Sequence, residues 1–159
     1  MGDSGFKTIS YRGGIVTFAI PSHWCEEYNP TGGGTFYEDR PDSGTLGLNV
    51  LSFESKKTPE ADVLRAFPDG SFEMLLSGFP LRYGVSEATE DNELLHIHTW
   101  KIAVPVPPQR MRIVIFSHTI LASQESDPTI IGELALIRDS VRSATFSQES
   151  GVTGEYPQQ

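Results

Sequence analysis

The chain is predicted to fold as an α+β domain, an antiparallel β-sheet of about six to seven strands with helices packed on its faces. Three observations predict it. Short alternating or β-branched runs, bounded by Gly, Pro, Asn and Asp, recur along the whole chain. Two helix starts led by proline interrupt these runs rather than alternate with them. The 159 residues, 38% hydrophobic and 21% charged, suit one soluble domain, which at this size buries roughly 70% of its unfolded surface.

"FKTISY" (6–11) and "IVTFAI" (15–20) are the first two strands, and "RGG" between them is a hairpin signal, because glycine accepts the positive φ of tight turns. Pro21 ends the second strand because it has no N–H for the ladder. "SHWCEEYNPTGGG" follows as an irregular segment with Trp24 as a core plug. "TFYED" (35–39) and "TLGLNVLSF" (45–53) are strands joined by the breaker-rich turn "RPDSG".

Thr58-Pro59-Glu60 combines a hydroxyl cap, proline at the first helical position and an acid in the first turn. It predicts a helix to about Phe67, broken near Pro68, with "SFEMLLSG" (71–78) adding a turn or two. "LRYGVSEAT", "ELLHIHTWKIAV" and "MRIVIFSHTILA" form a three-strand meander turning at Asp91-Asn92 and "PVPPQ". Asp127-Pro128 repeats the cap-and-proline start and opens "TIIGELALIRDSVRSATF". There Ile130, Leu134, Ile137 and Val141 occupy one face of a helix. Residues 1–146 read as a single domain, and the aperiodic polar segment 147–159 as a flexible tail.

A net charge of −9, with basic residues scattered, argues against nucleic acid and against anionic membrane surfaces. No apolar run reaches the length of about 20 residues that crosses a bilayer as a helix. The only cysteine is Cys25, so no internal disulfide forms and a reducing compartment is the economical expectation. "MGDSGFKTIS" lacks the basic and apolar regions of a secretory signal. A cytoplasmic location and no cofactor are therefore expected. The oligomeric state is left open.

"FAIPSHW" (18–24), "GTLGLNVLSF", the meander and "LIRDSVRSATF" occur in the order found in small PsbP-like domains, whose strand-end motif is apolar-x-apolar-Pro-x-x-Trp. Over about residues 6–146 the chain resembles that superfamily. It includes the oxygen-evolving-complex protein PsbP, a eukaryotic Ran-release factor and small bacterial proteins, some of them chaperones for secreted effectors. The resemblance implies an α/β/α sandwich and a habit of binding other proteins. It carries no catalytic residues.

"LLHIHTW" puts His96 and His98 on one side of a strand, with Trp100, because residues two apart share a face. His118 lies on the next strand. A turn pairing Val104 with Arg110 would set His96 opposite His118 and His98 opposite Phe116, which makes a three-histidine zinc site the alternative reading. No acid is fixed nearby in sequence to hold the ring tautomers. Half-buried histidines bonded to neighbours explain the pattern equally well, and that plainer reading leads.

His23 and Cys25 form a His-x-Cys pair, but the adjacent Glu26 and Glu27 oppose a thiolate, so packing is expected there. "TGGGT" (31–35) lacks the lysine and following helix of a phosphate loop and reads as a flexible lip over a binding surface. Glu38, Asp39 and Asp42 read as a solvated turn, and "PVPPQ" as a stiff one. The leading functional expectation is a non-enzymatic, chaperone-like adaptor that docks a protein or peptide of basic character. Tyr28, Phe36, Tyr37 and Trp100 are its candidate contact residues.

Overall fold

Among the described residues, ten strands divide between two sheets, and every strand pair is antiparallel. The computed structural model describes residues 5–40, 44–54, 67, 72–107 and 110–148. The strands are β1 (Phe6–Tyr11), β2 (Val16–Pro21), β3 (Cys25–Tyr28), β4 (Gly34–Tyr37), β5 (Thr45–Glu54), β6 (Glu73–Met74), β7 (Pro80–Glu90), β8 (Glu93–Val106), β9 (Arg110–Leu121) and β10 (Thr145–Phe146). The main sheet runs β3-β4-β5-β9-β8-β7-β6, and β1-β2-β10 forms the smaller one. The helix α1 (Pro128–Arg142) lies between β9 and β10 in the chain.

The expected sheet of about seven strands is present, but the first hairpin does not join it. β1 and β2 instead lie across its inner face, where Phe18 meets Phe36 and Phe116 edge-on, each with ring centroids 5.2 Å apart. The apolar positions of β2 (Val16, Phe18 and Ile20) interdigitate there with Leu46, Leu48, Trp100, Ile102 and Val114 to form the main core. Helices on both faces are thus replaced, among the described residues, by one helix and a small sheet on the inner face.

α1 starts where Asp127 and Pro128 predict. The Asp127 carboxylate accepts from the Thr129 N–H at 2.8 Å, satisfying one of the four unpaired amides of a helix start. Ile130, Ile137 and Val141 are buried and Leu134 packs against the same core. The helix stops at Arg142, earlier than expected. Thr145 and Phe146 turn into a short strand against Val16 and Thr17, and Phe146 meets Phe79 at 5.8 Å.

Two further segments differ from expectation. "CEEY" (25–28), expected as irregular, is the edge strand β3, and its pairing with Gly34–Tyr37 closes a hairpin over the glycine loop. Within "SFEMLLSG", Glu73 and Met74 pair with Leu81 and Pro80 as a strand, and Gly78 at φ +97° closes the turn. A glycine there and a following proline favour a hairpin over a helix. The helix expected from Thr58 lies outside the described residues. Phe67, at its expected end, is fully buried on the outer face of the main sheet against Ala103, Met111 and Ile113. Most of the expected tail lies outside them too. Its first two residues are tied to the sheet: Arg112 donates to the Ser147 carbonyl at 2.6 Å and Gln148 to the Pro105 carbonyl at 2.8 Å.

Candidate functional site

The longest strands carry the histidines. β8 and β9 pair over twelve residues, and the Asp91-Asn92 turn, with φ of +53° and +66°, sets the β7–β8 hairpin on one side. The register differs from the expected one by two residues: Val106, not Val104, opposes Arg110. His98 therefore faces His118 directly, and His96 faces Ile120. A two-residue shift preserves the face, so all three imidazoles stay on the inner side, at its end beside the start of α1.

His96 and His98 both lie near Glu125, from the turn after β9, and His118 meets Glu133 of α1. His118 is fully buried, with Nε2 3.4 Å from Glu133 Oε1 of α1. His96 Nδ1 lies 2.7 Å from Glu125 Oε1, out of line for a hydrogen bond, and its Nε2 is 3.4 Å from Glu87. His98 Nδ1 and the Tyr83 hydroxyl are 2.6 Å apart, and Nε2 is 3.9 Å from Glu125 Oε2. Burial, then the neighbouring His118, holds the His98 imidazole below its ordinary pKa, so the neutral ring is favoured. A neutral Nδ1 accepts from the phenol, which burial likewise keeps protonated.

The acids absent from the local sequence thus arrive from the turn after β9 and from the helix. Glu133 is the hub. Its Oε1 accepts from the Gly44 N–H at 3.3 Å and its Oε2 from Arg40 at 3.2 Å. Arg40 Nε donates to Glu38 at 2.7 Å, and Glu38 Oε2 is 3.2 Å from His23 Nε2. The Arg40 hydrogen bond holds the Glu38 carboxyl below its ordinary pKa. His23 is therefore directed to Glu38 and is not paired with Cys25. Among the described residues, no three His, Cys, Asp or Glu side chains form a group that could hold a metal ion. The cluster is a set of imidazole–carboxylate and guanidinium–carboxylate contacts, with Arg40 shared between Glu38 and Glu133.

The four candidate contact residues separate by burial. Phe36 and Trp100 belong to the core, at 0% and 1% exposure. Both are corrections to the expected docking surface: each points inward at a position the small sheet covers, and Tyr83 lies over Trp100 at 5.2 Å. Tyr28 is half exposed on the edge strand β3. Its hydroxyl donates to Glu26 at 2.7 Å, and burial raises the phenol's pKa. Tyr37 donates to Glu27 at 2.6 Å, a bond that pushes its pKa up to about 12. Glu26 also meets Lys7 of β1 at 2.8 Å. Tyr28 and Tyr37 thus remain on an open, acidic edge.

The glycine loop has a role that sequence reading reached only as a lip. Gly32 and Gly33 border a cleft of about 380 Å³ with Tyr11, Arg12, Asn49 and Arg110. Gly33 has φ +95°, its N–H donates to the Tyr11 hydroxyl at 2.8 Å, and a Cβ there would lie 2.8 Å from Asn49 Oδ1. Only glycine fits that approach.

No family model matches the chain, and no curated protein matches it. Solved structures do. The chain is similar to LpqN of Mycobacterium tuberculosis, a protein involved in cell envelope biogenesis, with a TM-score of 0.64 at 14% identity over 90% of this chain and 91% of that one. It is also similar to a protein of Bacteroides thetaiotaomicron, with a TM-score of 0.62 at 13% identity over 89% of this chain. The chain spans about half of that protein, 48% of its length. At such identities the likeness establishes the fold. No helix among the described residues is long and apolar enough to cross a membrane.

Proposed function

We propose that this chain is a non-enzymatic binding module of PsbP-like kinship that docks a protein or peptide partner of basic character. One observation carries the reading. The two most buried imidazoles, His98 and His118, face Tyr83 and Glu133 of the same chain, whereas the acidic strand β3 is an edge of the main sheet among the described residues. Catalysis needs a reactive group facing a space where substrate can sit, and His118 faces Glu133 and Gly44 instead. An exposed edge strand flanked by Glu26, Glu27, Tyr28 and Tyr37 offers unpaired backbone and amphipathic rings to an extended basic segment.

In the same reading the protein has the α/β/α sandwich of the PsbP-like superfamily and works in the cytoplasm, as its single cysteine suits. LpqN's role in cell envelope biogenesis points to the envelope as the competing compartment. The test is capture from extracts of the source cell, fractionated into cytoplasm and envelope, at low and moderate salt. The wild-type chain is expected to retain a defined basic protein that Tyr28→Ala with Glu27→Lys releases. Equal retention by the variant, or no retained protein at either salt, refutes the reading.

A further inference from the structure

We propose that β7 is a self-association edge, at which a second copy of this chain pairs antiparallel about a two-fold axis through Ser86 and joins the two main sheets. The proposal concerns the edge opposite β3 and is independent of the partner-docking reading.

β6 pairs with β7 only at Pro80 and Leu81. From Arg82 to Glu90 the other side of β7 has no strand against it among the described residues, and residues 83–87 are exposed without interruption. Nine residues at about 3.3 Å each make an open edge of about 30 Å. Natural sheets commonly blunt such an edge with proline, a bulge or an inward-facing charge. Here Arg82–Glu90 contains no proline, the pairing with β8 runs unbroken from Leu81 to Glu90, and the one inward-side charge, Glu87, is turned to His96 at 3.4 Å. Gly84, Ser86 and Ala88 keep the outer face of the edge low, and Gly84 and Ser86 border a shallow groove of about 250 Å³ with Thr99 and Lys101. That flatness lets a second backbone approach.

Charge selects the occupant. On the outer face Arg82 stands beside Lys101 at one end of the β7–β8 hairpin, and Glu90 beside Glu93 at the other. The edge is therefore positive at one end and negative at the other, and an antiparallel copy of itself is its electrostatic complement. A two-fold axis keeps paired residues on one face only when it passes through a residue. Centring on Ser86 sets Arg82 opposite Glu90 twice, Tyr83 opposite Thr89 and Val85 opposite Glu87. Centring on Glu87 sets that carboxylate against itself, and centring on Val85 leaves Arg82 opposite Ala88. The Ser86 centre alone of these matches the charges and uses all nine residues. The guanidinium's five donors let Arg82 hold Glu90 of the second copy alongside contacts within its own chain.

Two experiments on the full chain test this. The first is sedimentation from low to tens of micromolar concentration. A reversible dimer is expected, weakened roughly tenfold by Arg82→Glu and restored by Arg82→Glu with Glu90→Arg, since two cross-strand charge pairs are reversed and then re-formed. The second uses cysteine substitutions in a Cys25→Ser background. At the two-fold centre Ser86→Cys lies about 4.5–5.5 Å, Cα to Cα, from its own copy, within disulfide reach. Ala88→Cys is offset by four residues, about 13 Å. Ser86→Cys is expected to crosslink under mild oxidation and Ala88→Cys to form no disulfide while associating reversibly. A monomer throughout the concentration range, failure of the double swap to restore association, or crosslinking at position 88 instead of 86 overturns the proposal. Circular dichroism of each variant separates lost association from lost fold.

Discussion

His98 carries the clearest pH signature in the molecule. Its pKa is lowered in the folded chain, chiefly by burial and then by His118, against the opposing pull of Glu125. The unfolded chain, with an imidazole near about 6.5, binds the proton more readily, so stability rises with pH across the window below that value. The contribution is complete above the unfolded pKa and is lost as pH falls toward the folded one. The thermal midpoint is expected to fall as pH drops from about 7.5 to about 5.5, and His98→Gln to flatten that part of the profile. Glu26 and Glu38 are also lowered, from 4.5, and act in a separate window below it. An unchanged slope in the His98 variant would refute the assignment.

Gly44 packs beside the same cluster. A Cβ there would lie 2.6 Å from His118 Nε2 and 3.0 Å from Glu133 Oε1. Neither side chain has room to give, since both are buried. Gly44→Ala is expected to cost about 1–3 kcal/mol, read by denaturant midpoint. Glu133→Ala removes the shared partner of Arg40, His118 and the Gly44 amide. It is expected to cost about 3 kcal/mol, the usual range for breaking a buried charge network. Metal content discriminates the same cluster differently. The dialysed chain is expected to hold far less than one zinc per molecule, with no change in the His96→Ala, His98→Ala, His118→Ala triple variant. Stoichiometric zinc lost in that variant would restore the metal reading.

The helix and the strands were not equally legible from residues. The limits of α1 at its start are local chemistry: Asp127 accepts an amide hydrogen and Pro128 cannot use one. Asp127→Ala is expected to lower stability by about 1 kcal/mol with the fold intact, visible as a shift of the midpoint at constant slope. The end of α1 is different. "SATF" is as compatible with another helical turn as with a strand, and its choice is made by the free edge of β2 at Val16 and Thr17. β3 was hidden for a related reason: Cys25–Tyr28 shows no apolar alternation, because its burial is slight and its order comes from pairing with β4. β6, two residues long, has no period at all.

Across the whole molecule, charge and burial divide the surface into a closed end and open edges. The three imidazoles, Glu125, Glu133 and Arg40 gather at one end of the main sheet. The β3 and β7 edges are the proposed places of docking and self-association. LpqN is similar to this chain in fold at 14% identity.

Residues alone specified the longer strands, the capped start of α1 and its buried stripe, and the common face of His96 and His98. Each of these depends on a period or a cap written within a few neighbouring positions. Which sheet the first hairpin joins, the two-residue offset that sets His98 against His118, the arrival of Glu125 and Glu133, and the burial of Phe36 and Trp100 came from contacts between distant segments. A strand's alternation names its buried face but not what covers it, and a hairpin's pattern is unchanged by a slip of two. Those choices are made by the packing of the whole core.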